Sequence, residues 1–168
     1  MTTIIHSTVG LTHLLSALLS LILGTLVLLT VKGSPTHKRI GYAYTFSMII
    51  LNVTAFSIYR LFHGFGPFHI AAIVSFLTLM MGFIPVLVRK PAGSWIHYHI
   101  SGMYYSVIGL YAAFVSELVV RIPGAPFFTL VAIGTAIVMA VGIFIFQFKR
   151  KTWIAQNQPL ERRHKSVT

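Results

Sequence analysis

The sequence predicts an all-α membrane protein with five transmembrane helices, the first four forming an up-and-down four-helix bundle. Three observations lead there. Of the 168 residues, 56% are hydrophobic and only 9% are charged, whereas soluble domains carry about a quarter charged residues to keep their surfaces hydrated. Mean hydropathy is +0.83. Apolar runs of spanning length, about 20 residues each, recur five times along the chain, with connections short enough to make consecutive spans antiparallel neighbours.

The first span covers about 11–31. It lacks a basic start and a small-residue cleavage signature, so it reads as a retained helix rather than a signal peptide. The second covers about 35–62, opened by Ser34 as cap and Pro35 at the first helical position, where its missing N–H costs nothing. The third covers about 68–88, with Pro85 expected to kink its inner end. The fourth covers about 95–121, after the breaker Pro91-Ala92-Gly93-Ser94 with Ser94 as N-cap, and the fifth about 127–148. Residues 1–148 thus form one transmembrane domain. Residues 149–168 form a basic cytoplasmic tail, expected to be partly disordered.

The formal charge of +11 lies in short runs between apolar stretches, so no nucleic-acid partner is expected; the basic tail is expected to meet anionic lipid. One side of the predicted bundle holds Lys32, Lys38, Arg39, Arg89, Lys90, Lys149, Arg150, Lys151, Arg162, Arg163 and Lys165, and the other only Arg60 and Arg121. Positive loops stay cytoplasmic, which puts the N-terminus outside and the C-terminus inside.

There is no cysteine, so thiolate sites and iron–sulfur clusters are excluded, and eight histidines carry most of the available chemistry. His13 and His69 open the first and third spans at the outer level. His37 opens the second span at the inner level, and His97 and His99 lie early in the fourth. Diagonal helices of a four-helix bundle face each other, so each level offers a pair: His13 with His69, and His37 with His99. The levels are about 27 Å apart at 1.5 Å per residue. His6, His63 and His164 read as interfacial residues, and the Tyr42-Ala43-Tyr44 and Tyr104-Tyr105 segments as an aromatic belt.

Helical phase supports this placement. His99, Gly102, Ser106, Gly109, Ala113 and Glu117 fall on one small or polar face of the fourth span, expected to point inward, as does the stripe His13, Ser16, Ser20 and Gly24 on the first. The third aligns His69, Ala72, Phe76 and Met80, and the second contributes Asn52, Thr54 and Ser57. Glu117, the only acid in the membrane zone, reads either as an ion-pair partner of Arg121 or as a proton-accepting or metal-ligating carboxylate.

The order His13, then Gly33 and His37-Lys38-Arg39-Ile40-Gly41-Tyr42, then Phe68-His69, then His99 with Met103 resembles a family of uncharacterised predicted bacterial membrane proteins, known as a domain of unknown function. The resemblance covers about residues 11–117. It implies a bacterial inner-membrane location, and it marks His13, His37, His69 and His99 as the patterned histidines without supplying an activity. The four-histidine diagonal arrangement is also similar in architecture to transmembrane cytochromes of the b561 type, which carry two b haems.

The leading expectation is therefore a transmembrane electron-transfer protein of b-type cytochrome character. Haem b would be bound by His13 and His69 outside and by His37 and His99 inside, with His97 as a substitute or neighbour of His99, and a redox partner or larger membrane complex would exchange electrons with it. A Zn or Cu site or transport pathway built from His13, His69, His63 and Glu117 is the alternative. A non-catalytic membrane subunit or assembly factor is a third. No phosphate loop, nucleophile elbow or zinc-protease motif is present, which argues against a hydrolase.

Overall fold

The computed structural model describes residues 8–58, 64–124 and 126–165, with side chains as far as residue 155. The described residues form five helices: α1 (Thr8–Leu29), α2 (Pro35–Phe56), α3 (Pro67–Val88), α4 (Trp95–Val119) and α5 (Phe127–Lys165). Four of them, α1, α3, α4 and the Phe127–Ala155 part of α5, are long and apolar enough to cross a bilayer. Their outward faces carry exposed Leu15, Ile22, Val74, Leu77, Phe144 and Phe148, a surface that suits lipid and not water. The chain is an integral membrane protein. α2 is as long as α1 but less apolar, because Thr36, His37, Lys38, Arg39, Thr45, Ser47, Asn52 and Thr54 interrupt it.

Local chemistry explains the helix starts. Ser34 caps α2 in extended geometry, its hydroxyl accepting from the His37 N–H at 3.1 Å, with Pro35 next. Ser94 takes the N-cap position of α4 but makes no side-chain cap bond. The Pro91 carbonyl instead accepts from the N–H groups of Ser94 and Trp95, and the Arg89 guanidinium lies 4.6 Å from the Trp95 ring centroid. α3 continues to Val88 past Pro85, whose carbonyl accepts from the N–H of the left-handed Arg89.

Each helix contact has its own device. α1 and α2 are joined by hydroxyls: Ser20 donates to Ser47 at 2.9 Å, and Ser47 donates to the Ser16 carbonyl at 3.0 Å. α3 and α4 cross at Gly82 and Gly102, where a Cβ on Gly102 would stand 2.3 Å from the Gly82 nitrogen. No other residue fits there. α5 lies along α4, with Tyr104 donating to the Gly142 carbonyl at 2.8 Å and Ser116 bonded to Thr135 at 3.1 Å. α1 closes against α4 where Val107 meets Gly24. The apolar centre is Tyr44, Met48, Leu51, Leu79, Val107 and Leu110.

The α1 stripe is placed as the sequence implies: Ser16, Ser20 and Gly24 are buried. The α4 stripe is not. Gly102 and Ser106 are buried, but Ala113 and Glu117 are exposed. The reason is that α4 packs on different sides, against α3 and α1 within the bundle and against α5. Past Ser106 its core face passes through Val107 and Leu110, while Ala112 and Ser116 are buried as well and Ser116 bonds α5. On α3, Ala72, Leu79 and Gly82 are buried and Phe76 is exposed. α5 continues unbroken past Phe148 and runs on to Lys165.

Candidate functional site

His37 and His99 meet. The His37 and His99 rings lie with centroids 6.3 Å apart and planes at 89°, both half-buried. His99 Nδ1–H donates to the Gly82 carbonyl at 2.9 Å, a carbonyl available at this spot because the Gly82–Gly102 crossing brings α3 and α4 together. His37 Nδ1 is 3.4 Å from Thr30 Oγ1, and the Thr30 hydroxyl gives its own proton to the Val27 carbonyl at 3.0 Å. Thr30 therefore accepts, and His37 Nδ1 is the donor. A neutral imidazole has one N–H, so each ring has its proton on Nδ1 and a bare lone pair on Nε2. This is the arrangement of metal-ligating histidines, whose far nitrogen is held by a backbone carbonyl or another acceptor. His97 is exposed, which separates the two candidates: His99 is the one that meets His37.

The surroundings are cationic. The Lys32 ammonium lies within electrostatic reach of both imidazoles. It donates to the Val27 carbonyl at 2.9 Å and the Leu28 carbonyl at 2.7 Å, closing the C-terminal end of α1, and sits 5.3 Å from the Trp153 ring centroid on α5. Burial lowers its pKa to about 8. Trp153 in turn stacks near Tyr104, 5.6 Å between centroids. Composition marked Lys32 only as one loop charge. Its place beside the histidines depends on the Gly33 turn, with φ of 78°, and on the α5 extension that supplies Trp153.

His13 and His69 are bonded differently. His13 Nδ1 is 3.0 Å from Thr54 Oγ1. Thr54 directs its hydroxyl proton to the Ile50 and Leu51 carbonyls, so His13 donates. His69 is reversed: the Gly66 N–H donates to its Nδ1 at 3.1 Å, and the His69 N–H donates to the Gly66 carbonyl at 2.9 Å. This reciprocal pair starts α3 in the manner of a capping box, and leaves the neutral ring's proton on Nε2. The buried ring stacks on Phe65, with centroids 5.1 Å apart.

Glu117 is exposed and lies 4.0 Å from Arg121 one turn on, itself exposed. Among the described residues no three His, Asp or Glu side chains converge on one point. His63, the remaining member of the expected metal cluster, lies outside the described residues, as do Arg60 and His6; the side chain of His164 does as well.

A family described as "Predicted membrane protein (DUF2306)" matches residues 10–152. The chain belongs to that family. The match takes in all four patterned histidines of this DUF2306 protein, the Lys32 loop and the α5 extension through Thr152. No curated protein and no solved structure matches the chain.

Proposed function

We propose that this DUF2306 protein is a transmembrane electron-transfer protein of b-type cytochrome character, with one haem held between His37 and His99. The observation that carries the reading is the geometry of that pair. Each ring offers an Nε2 lone pair, and two imidazoles about 6 Å apart could hold one metal ion between them through metal–nitrogen bonds of about 2.0 Å. The separation here is 6.3 Å, and both rings keep Nε2 unprotonated. Haem would supply one-electron chemistry at this point. The chain's own residues supply the rest: Gly82 and Thr30 fix the tautomers, and the helices around the pair keep it half-buried.

The reading includes a membrane frame. α2 crosses with the other four helices, α1 to α4 run up and down, the N-terminus is outside, and the C-terminus is inside a bacterial inner membrane. The haem then lies toward the cytoplasmic side, where a redox partner or larger complex reaches it and the basic end of α5 meets anionic lipid. The outer pair supports a second haem less well, because His69 would have to give up its bond from Gly66 to free Nε2. A bare Zn²⁺ or Cu²⁺ at the inner pair is disfavoured by the adjacent Lys32 charge and by a ligand set of only two imidazoles.

The test is a reduced-minus-oxidised visible spectrum of the detergent-purified protein from cells supplied with haem precursor. Low-spin b-type bands near one haem per chain, lost in His37→Ala and His99→Ala and kept in His13→Ala, are expected. A featureless spectrum from folded, haem-supplied protein overturns the reading.

A further inference from the structure

Lys32 is a half-buried cation without a counter-ion among the described residues. An ammonium has three N–H donors. Two are taken by the Val27 and Leu28 carbonyls, and no described side chain accepts the third. Glu117, the one acid whose side chain is described, is paired with Arg121 toward the far end of α4 from His99. Other cations at this end, Lys38, Arg39, Lys90 and Lys149, are exposed, and Arg89, half-buried and within electrostatic reach of His99 alone, lies on the Trp95 ring. Lys32 is instead clamped between the end of α1 and the Trp153 ring, within electrostatic reach of both imidazoles. An ammonium held out of water without an anion is costly, and an incoming carboxylate relieves that cost with a charge-assisted hydrogen bond.

We propose that Lys32 anchors a carboxylate of the ligand bound between His37 and His99, so that the site takes an anionic tetrapyrrole rather than a bare divalent cation. The inference rests on the haem reading above and adds a specificity residue to it. The lowered pKa agrees, since it reports an ammonium destabilised by burial and offset by no described acid. A carboxylate beside it restores the charged form.

The experiment titrates the haem-free full-length protein in detergent with haem and, separately, with haem dimethyl ester, whose carboxylates are blocked, following the Soret band. The wild type is expected to bind haem about tenfold or more tighter than the ester, the scale of one charge-assisted bond. Lys32→Met is expected to weaken haem binding to the ester's level while leaving ester binding unchanged, and Lys32→Arg to restore the preference. Equal wild-type affinities overturn the proposal without any variant. So does a Lys32→Met protein that loses both ligands alike, since Lys32 would then act only as the clamp on α1. Tight Zn²⁺ binding that His37→Ala abolishes also overturns it. Failure of both porphyrins to bind overturns the haem reading and this inference with it.

Discussion

The two ends of the bundle use the same residue type to opposite effect. At one end His37 and His99 each donate from Nδ1 and face one another across 6.3 Å. At the other, His69 accepts a backbone N–H at Nδ1 and serves as part of a helix start, while His13 is tied to Thr54. Sequence depth alone makes the two pairs equivalent. What separates them is the partner of a single ring nitrogen, which decides whether the second nitrogen offers a lone pair or a proton. A histidine in a membrane bundle is therefore read by its hydrogen bond before it is read as a ligand.

The most severe way to break the comparison is at the Gly82–Gly102 crossing, which supplies the carbonyl that orients His99. Gly102→Leu forces a side chain into backbone at 2.3 Å, and is expected to abolish folding, read as loss of the monodisperse peak in size-exclusion chromatography. Next in size is the contrast between His99→Ala and His69→Ala. The first should remove the haem bands. The second should keep them and lower stability by about 1–2 kcal/mol, the cost of a lost cap, measured by denaturant titration.

A smaller effect sharpens the His37–His99 end. The folded pKa of Lys32, about 8, lies below the ordinary value of 10.5, so between those values the unfolded chain holds more protons than the folded one. Stability of the haem-free protein should then rise with pH from about 8 to 10.5 relative to Lys32→Met, and the difference should be flat below pH 8. Thermal melts of the two proteins across that range measure it. The smallest effect belongs to Glu117→Gln at the other end. An exposed pair at 4.0 Å is expected to contribute less than about 0.5 kcal/mol, within the scatter of a melting curve.

Period and composition made much of this legible. The stripe Ser16, Ser20 and Gly24 is buried as its spacing implies, and the Ser34-Pro35 start of α2 is built as written. Inward placement of Ala113 and Glu117 failed because period identifies one face of a helix, whereas α4 buries two, one against the bundle and one against α5. The role of His69 was hidden for another reason. Its partner is the backbone of Gly66, a group that every non-proline residue carries and that no pattern of side chains reveals. Lys32 was read as a loop charge because its neighbours, Trp153 and the α1 carbonyls, come together only once α5 continues as a helix beyond 148.

That continuation has a mechanical consequence. A helix of 39 residues is about 58 Å long, nearly twice the hydrocarbon thickness of a bilayer. Its shaft is gripped along α4 by Tyr104 and Ser116, and Trp153 rests against the Lys32 turn. Any load applied beyond Trp153 would therefore meet a continuous helix and not a slack tether. The helix is held at Tyr104 and carries Trp153 against the turn that leads from α1 to His37.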